Sequence, residues 1–206
     1  MLTFEDIAID YPNTLEIMEL DKLFSRPAPL HIEVGSGKGT FILNESRLYP
    51  DQNYLGIEWA SKYYRHAVDR ISRWGVENVR LLRTDAAVFL QHNVADEVVD
   101  IFHVYFPDPW PKKRHHKRRF INVANIKQLH RCLKNQGQVR MATDHADYYQ
   151  VMHDLFTEHE DVTKLFKTIE YFSAESAEDG ESVGSNFERK YRKEGRKINT
   201  LAVQKL

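Results

Sequence analysis

A strand, a glycine-rich turn and a helix follow one another near the start of the chain. Leu30–Val34 has the apolar character of a short strand, Thr40–Leu48 has helical periodicity, and the turn between them reads Gly35-Ser36-Gly37-Lys38-Gly39. In doubly wound α/β folds such glycines let the backbone approach a ligand, and the start of the helix offers free N–H groups. We therefore predict an α/β fold with a ligand site at this turn.

The spacing of the glycines in this turn fits neither of two common nucleotide-binding motifs. No Gly-Lys-Ser/Thr sequence supplies the hydroxyl that holds magnesium in a P-loop, and the three glycines lack the two-residue gap of a dinucleotide fingerprint. A second predicted strand, residues 53–58, ends in Glu58, about 20 residues beyond the glycines. We interpret Glu58 as the acceptor for ribose hydroxyls, the alternative being a solvent-exposed carboxylate at a strand end.

Five more strands complete the predicted sheet. The last two are expected to pair antiparallel at the sheet edge, and Asp85 follows the third strand, where it suits a helix N-cap and a ligand of an adenine amino group equally well. The segment 173–185 is small, acidic and glycine-containing, which predicts a mobile loop. The five strands cover residues 79–83, 98–106, 138–142, 167–172 and 199–204.

The fourth strand runs into a turn rich in proline. Pro107, Pro109 and Pro111 alternate with Asp108 and Trp110, which predicts a stiff turn with extended backbone before each proline. Asp108 is thereby held at the carboxyl end of a strand, where open α/β sheets bind ligands. The turn is therefore a candidate functional site, although such turns are often only turns.

A dense basic cluster follows directly. Six Lys or Arg and two His occupy positions 112–119, although the formal net charge of the chain is only −1. This density costs electrostatic self-repulsion, and an anionic partner with many phosphates explains it better than a solvated surface does. A helical pattern over 118–133 places part of the cluster on the first turn of a helix. The members are Lys112, Lys113, Arg114, His115, His116, Lys117, Arg118 and Arg119.

Length and composition suit a single α/β domain over residues 1–206, with residues 1–29 an extension that is either an arm or a packed segment around a helix at 14–24. No apolar run reaches membrane-spanning length and the N-terminus lacks signal-peptide character, so a cytoplasmic location without membrane contact is expected. The single Cys132 excludes an internal disulfide and a Cys-based zinc site, and its helical surroundings predict burial. His145 is predicted to be a cap or surface residue, and no metal is expected.

Five motifs together resemble those of the bacterial tRNA (guanine-N7-)-methyltransferases. They are residues 33–39, 56–58, 106–119, 143–144 and 185–188, and the proline-rich turn that leads into basic residues is specific to this family. The resemblance implies a class I S-adenosylmethionine-dependent methyltransferase fold, which is Rossmann-like, with a seven-stranded, mostly parallel sheet and an antiparallel last strand. It also implies methyl transfer from S-adenosyl-L-methionine to N7 of a guanine in the variable loop of tRNA.

The same resemblance assigns roles to residues. It makes Asp108 the catalytic position. At position 185 this chain has Ser where the family usually has Thr, and both side chains carry a hydroxyl. The cluster 112–119 would contact tRNA. The implied cofactor site comprises Glu33, Gly35, Gly37, Glu58, Asp85 and Asp108. The implied guanine site comprises Lys112, Asp144, Ser185, Asn186, Phe187 and Glu188.

The chemistry of guanine fits these residue types. N7 carries a free lone pair and no proton, so its attack on a methyl sulfonium needs no base to deprotonate it. Two oriented carboxylates can hold the N1–H and N2 amino donors and favour the positive charge that develops on the ring. We hypothesise that Asp108 acts in this way, with Asp144 or Glu188.

Other functions stay open at this stage. A methyltransferase that acts on a small molecule or a protein would explain the glycine turn and Glu58, but not the basic cluster. A non-catalytic RNA-binding protein on the same fold would explain the cluster, but it has no need of the acidic set. A nicotinamide oxidoreductase fits the glycine spacing less well. Monomer and homodimer are both compatible with the sequence.

Overall fold

One β-sheet forms the centre of the fold in the computed structural model, which describes residues 2–11, 14–170 and 197–206. Within these ranges the sheet has eight strands, namely β1 Ala8–Ile9, β2 Leu30–Val34, β3 Asn53–Ile57, β4 Val79–Leu82, β5 Val99–Tyr105, β6 Leu133–Thr143, β7 Phe166–Ile169 and β8 Asn199–Lys205. Their spatial order is β1-β4-β3-β2-β5-β6-β8-β7. All neighbouring pairs from β1 to β6 are parallel, whereas β8 is antiparallel to both β6 and β7.

Helices cover the two faces of this sheet. The α-helices of the described ranges are α1 Phe4–Ile7, α2 Thr40–Leu48, α3 Ser61–Trp74, α4 Ala86–His92, α5 Val123–Cys132, α6 Ala146–Thr157 and α7 Glu160–Thr163. Apolar side chains of α1 to α3 form one buried cluster, and those of α4 to α7 form a larger one. This arrangement is the doubly wound α/β sandwich that the sequence predicts. None of the helices in the described ranges has the length and hydropathy that a membrane span requires.

The predicted fold class is confirmed, but the sheet within the described ranges has eight strands instead of seven. The additional strand, β1, lies in the N-terminal extension, where Ala8 and Ile9 pair in parallel with Leu81 and Leu82 of β4. Its two residues are too short a run to show a strand pattern in the sequence. The predicted antiparallel pairing of the last two strands is confirmed in the register of β7 with β8.

The helix predicted at residues 14–24 is wrong. Only a 3-10 helix, Leu20–Leu23, forms there. The buried side chain of Asn93 donates a hydrogen bond of 2.8 Å to the carbonyl oxygen of Thr14, and the Asn93 carbonyl accepts one of 2.8 Å from the N–H of Met18. These bonds use backbone groups that a helix would satisfy internally, so the segment packs in a non-helical conformation.

The helix that follows the basic cluster also begins later than predicted. Asn122 is its N-cap, because its side-chain oxygen accepts a hydrogen bond of 3.0 Å from the N–H of Asn125. The cluster instead forms a separate 3-10 helix, Lys113–Arg118, ahead of α5. The placement of basic residues on the first turn of α5 is therefore wrong.

Two predictions about individual side chains are confirmed. Cys132 is fully buried, and burial raises the pKa of its thiol to about 11, so that it is an inert core residue. His145 is the N-cap of α6, where its Nδ1 accepts a hydrogen bond of 3.3 Å from the N–H of Tyr148.

A polar layer lies buried between α2 and the sheet. His31 Nδ1 lies 3.1 Å from His103 Nε2, and His103 Nδ1 lies 3.0 Å from the hydroxyl of Tyr105. Burial lowers the pKa of His31 to about 4 and that of His103 well below its ordinary value, so both rings are neutral at pH 7. The nearby Glu45 has the opposite shift, because burial raises the pKa of its carboxyl from 4.5 to about 7.

The pKa of Glu45 predicts a pH-dependent effect of Glu45→Gln on stability. Between pH 4.5 and about 7 the folded protein holds a proton on Glu45 that the unfolded chain releases. The contribution of this carboxyl to stability is therefore fully present below pH 4.5 and is lost as the pH rises to about 7. At ~1.4 kcal/mol per pKa unit, the variant should gain ~2 to 3 kcal/mol relative to the parent protein between pH 5 and pH 8. Urea unfolding at both pH values measures the difference.

The exposed Glu77 offers a matched control for this prediction. Glu77→Gln makes the same chemical change at the surface, and its effect on stability should be the same at pH 5 and pH 8. A Glu45→Gln effect that is equally independent of pH would show that the buried carboxyl titrates normally.

Candidate active site

A cavity of about 470 Å³ opens at the carboxyl ends of the parallel strands. Its walls are the glycine turn after β2 and the segments 57–60, 84–87 and 105–108, which follow β3, β4 and β5. The chain runs from β2 outward to β3 and β4 on one side and to β5 and β6 on the other, so the cavity lies where the strand order reverses. This is the point at which open α/β sheets bind ligands. Four carboxylates line it, those of Glu33, Glu58, Asp85 and Asp108.

The glycine turn forms the floor of this cavity. Gly35, Gly37 and Gly39 have φ angles of 78°, 54° and 68°, a region that side chains with a Cβ rarely occupy. At Gly39 a Cβ atom would also lie 3.0 Å from the Cβ of Ala67 on α3. The turn therefore needs glycine for its left-handed backbone, and at Gly39 also for its packing against α3.

Glu58 is held in one orientation by backbone donors. Its Oε2 accepts a hydrogen bond of 2.8 Å from the N–H of Gly37, and its Oε1 accepts one of 2.7 Å from the N–H of Ala60. The side chain is half-buried, unlike the freely exposed carboxylate of the alternative interpretation. Each oxygen retains a second lone pair that can accept from a ligand hydroxyl.

Glu33 and Ser36 contribute buried polar atoms to the cavity. Among the described residues, Glu33 Oε2 and Ser36 Oγ have no hydrogen-bond partner although both atoms are inaccessible to solvent. Burial raises the pKa of Glu33 well above 4.5, and the charges of Glu58 and Glu45 raise it further. A buried polar atom without a partner costs ~1 to 3 kcal/mol, so these two atoms suit a bound ligand with donor groups.

Asp85 is the N-cap of α4. Its Oδ1 accepts hydrogen bonds of 2.8 Å from the N–H of Ala87 and 3.3 Å from that of Val88. Because the same side chain lines the cavity, the two interpretations offered by the sequence are compatible. The capping bonds fix the carboxylate against the cavity wall.

Asp108 lies exposed at the cavity rim, on a backbone that differs from the predicted extended one. Phe106 and Trp110 have φ angles of 50° and 42°, in the left-handed region. Such residues cost on the order of 1 kcal/mol each and persist only where the surroundings fix them. Tertiary contacts have therefore overridden the local preference of residues that precede proline.

The basic cluster 112–119 lies beside this rim and is not uniform. Most of its side chains are exposed, namely those of Lys112 and of the 3-10 helix Lys113–Arg118. The exception is His115, which is half-buried and packs edge to face with Trp110 at 5.7 Å between ring centroids. Arg119, in contrast, is only 6% exposed. Its side chain therefore lies apart from the exposed surface that the rest of the cluster forms, where the sequence predicted a contact with tRNA.

The predicted guanine site is described only in part. Asp144 follows β6 at the same sheet edge as Asp108, since Tyr105 of β5 is in register with Ala142 of β6. It is half-buried and lies outside the cavity wall. Ser185, Asn186, Phe187 and Glu188 lie outside the described residues, as does the predicted loop 173–185.

Several aromatic residues of the cavity were missed by sequence reasoning. Trp59 is 69% exposed at the rim, directly after Glu58, and Tyr63 lies one turn into α3. Phe41, Tyr105, Phe106 and Phe120 are the other aromatic residues of the wall. Exposed aromatic rings beside a cavity can stack on a flat ligand ring. The adjacency of Trp59 to Glu58 was the signal in the sequence that could have found this feature.

In the described part of the chain, no group of three or more His, Cys, Asp or Glu side chains is arranged to hold a metal ion.

A doubly wound sheet whose order reverses beside a glycine turn, with carboxylates at the ends of β2 to β5, has the architecture of the class I S-adenosylmethionine-dependent methyltransferases. Solved structures agree with this class. The aminoglycoside resistance methyltransferase NpmB1 superimposes with a TM-score of 0.62 at 14% identity, over 100% of this chain and 95% of that one. A 30S ribosomal A1408 methyltransferase from an uncultured bacterium gives a TM-score of 0.58 at 13% identity, over 91% and 93%.

Sequence comparisons define the family. A family model described as "Putative methyltransferase" matches residues 27–201. The tRNA (guanine-N(7)-)-methyltransferase of Alkalilimnicola ehrlichii is 30% identical over 99% of this chain and 84% of its own length. That of Rhodopirellula baltica is 42% identical over 72% of this chain, which spans 56% of the relative's length. The chain belongs to the tRNA (guanine-N(7)-)-methyltransferase family.

Proposed function

We propose that this protein transfers a methyl group from S-adenosyl-L-methionine to N7 of a guanine in the variable loop of tRNA. One observation carries the proposal, namely that a cavity lined by four carboxylates lies directly beside an exposed basic cluster. The first feature suits a small cationic ligand, and the second suits a polyanion. The names of the family's curated relatives support the same reaction.

The residues of the cavity fit S-adenosylmethionine. This cofactor carries an ammonium group, ribose hydroxyls and an adenine amino group, all of which are donors, and the cavity offers carboxylate acceptors. Glu33, with its unpartnered Oε2 in the described structure, would accept from the ammonium. Glu58 would accept from the ribose hydroxyls and Asp85 from the adenine amino group. When bound, the cofactor supplies an electrophilic methyl group on a sulfonium.

A test of the cofactor site follows from the hydrogen bonds of Glu58. Glu58→Gln should weaken S-adenosylmethionine binding by ~10- to 100-fold, because it removes the charge and turns one acceptor into a donor that faces a backbone N–H. Isothermal titration calorimetry with S-adenosylmethionine and S-adenosylhomocysteine measures the loss. Glu19→Gln, at an exposed position paired with Lys22, is the control and should bind normally. Equal affinity of the two variants would contradict the assignment of Glu58.

Asp108 would act on the guanine. N7 needs no base to remove a proton, so the task of the protein is to orient the ring and to stabilise its developing positive charge. A carboxylate at the rim can accept from the N1–H and N2 amino groups of guanine and supplies the required negative charge. Asp144, at the same sheet edge, would be the second carboxylate, and Lys112 would lie at the base.

The exposed part of the basic cluster would hold the sugar-phosphate backbone. Phosphate contacts fix the register of a nucleic acid and carry little sequence information, so the seven positions 112–118 would place the variable loop over the cavity. We further propose that residues 1–206 act as one methyltransferase domain, in the cytoplasm, where tRNA is processed.

The substrate class can be tested by competition between acceptors. The protein is incubated with S-adenosylmethionine labelled in the methyl group and with unmodified tRNA, ribosomal RNA or a mixture of cellular proteins. Label should enter tRNA, and salt should suppress the reaction because phosphate contacts are weakened. Transfer to ribosomal RNA or to proteins in place of tRNA would replace the proposal with a different methyltransferase activity.

A further inference from the structure

Arg119 is set apart from the rest of the basic cluster by its contacts. Its guanidinium lies over the ring of Tyr148, with 4.7 Å from Cζ to the ring centroid, and its Nε–H donates a hydrogen bond of 2.8 Å to the carbonyl oxygen of Pro109. The neighbouring Arg118 is exposed and lies over the ring of Trp110 at 5.0 Å. Two adjacent arginines of one basic run therefore have different surroundings.

Hydrogen bonds hold the backbone around Arg119 to α5 and α6. The side chain of Asn122, the N-cap of α5, donates a hydrogen bond of 2.9 Å to the Arg119 carbonyl. Tyr148 of α6 is fully buried, and its hydroxyl accepts a hydrogen bond of 3.2 Å from the N–H of Ile121. Arg119 thus extends from a rigid frame, which is the condition for a side chain that positions another group.

The Arg119 side chain holds the turn that carries Asp108. Pro109 follows Asp108 directly, and this turn lies between two residues with positive φ, Phe106 and Trp110. A turn of this kind keeps one conformation only where outside contacts fix it. The hydrogen bond from Arg119 is charge-assisted, which makes it a strong contact of this kind.

We propose that Arg119 is a positioning residue, which fixes the turn at Pro109 and thereby the Asp108 carboxylate for methyl transfer, and that it does not bind tRNA phosphate. The inference rests on the proposed function, since it assigns Asp108 to the guanine. A misplacement of about 1 Å at a reacting group can lower a rate by ~100-fold. Loss of Arg119 should therefore slow the chemical step and leave tRNA binding intact.

The test compares Arg119→Met with two other arginines. Arg131→Met is the control, because Arg131 is half-buried and likewise donates a hydrogen bond of 2.8 Å to a backbone carbonyl, that of Val94, far from the turn. Arg118→Met is the comparison for loss of a phosphate contact. For each variant we would measure the single-turnover rate at saturating tRNA and cofactor, the tRNA affinity over a salt series, and hydrogen exchange in the peptide 105–112.

Arg119→Met should lower the single-turnover rate by ~10- to 100-fold, with unchanged tRNA affinity and salt dependence. Its amides in the peptide 105–112 should exchange faster, because the turn loses an anchor. Arg131→Met should keep the rate and the exchange in this peptide, and Arg118→Met should weaken tRNA binding and flatten its salt dependence. A full single-turnover rate in folded Arg119→Met, or a loss of salt dependence like that of Arg118→Met, would overturn the proposal.

A second variant covers the case in which Arg119→Met does not fold. Arg119→Lys keeps a cation over Tyr148 but has no planar Nε–H donor, so a slower rate and faster exchange are again expected. A folded Arg119→Lys protein with the full rate and unchanged exchange would overturn the proposal. Unfolding of both variants would also overturn it, because Arg119 would then be needed for stability alone. If the parent protein methylates no tRNA, the proposed function fails, and the exchange measurement still decides whether Arg119 holds the turn.

Discussion

Asp108→Asn should lower the single-turnover rate of methyl transfer to tRNA by a factor on the order of 10² to 10³. The substitution keeps the size of the side chain but removes the negative charge that would favour the positive charge developing on guanine. It also places an amide N–H where the base presents its own donors. Because Asp108 is exposed at the rim, the fold should be retained.

The measurement is a rapid-quench assay with enzyme in excess over labelled cofactor, accompanied by separate titrations of cofactor and tRNA. Asp51→Asn is the control, since it makes the same change at an exposed position outside the cavity wall and should react at the parent rate. A folded Asp108→Asn protein with the full rate would remove Asp108 from the reaction.

Neutralising Arg114, Lys117 and Arg118 together should weaken tRNA binding on the order of 100-fold at low salt. All three side chains are exposed on the 3-10 helix beside the cavity. Each lost phosphate contact removes ~0.7 to 0.9 from the slope of log affinity against log salt, so the slope should fall by ~2 to 3. Cofactor affinity should stay at the parent value, because none of the three lines the cavity. Arg119 is kept in this variant since its side chain is buried.

The control for this variant removes three charges elsewhere. Lys22, Lys127 and Lys164 are exposed and paired with carboxylates of the protein, so their replacement by Gln gives the same change in net charge. This control should bind tRNA with nearly the parent slope. If both triple variants gave equal slopes, net charge and not the basic cluster would account for binding.

The fold could be predicted where its elements carry their own pattern. The apolar run of β5 and the strand, glycine turn and helix unit at 30–48 each predicted a local structure that the sheet confirms. The course of residues 14–18 could not be predicted, because it depends on the side chain of Asn93, which lies far away in the sequence. Strand β1 was missed because two residues show no periodicity.

The candidate site also has features that could be predicted from the sequence and features that could not. The carboxylates of Glu58, Asp85 and Asp108 could be brought together from the sequence, since parallel strands place their carboxyl ends at one sheet edge. Two other features could not be predicted from the sequence, namely the left-handed backbone at Trp110 and the burial of Arg119. Both depend on tertiary contacts, and in the sequence Arg119 is one basic residue among eight.

The central claim concerns one atom of one nucleotide, and it can be measured directly. Two tRNA transcripts, one with guanosine and one with 7-deazaguanosine, are incubated with the protein and S-adenosylmethionine labelled in the methyl group, then digested to nucleosides. We expect 7-methylguanosine to carry all the label from the first transcript and no label to enter the second, which has no N7. Label in another nucleoside, or equal labelling of both transcripts, would contradict methylation at N7 of guanine.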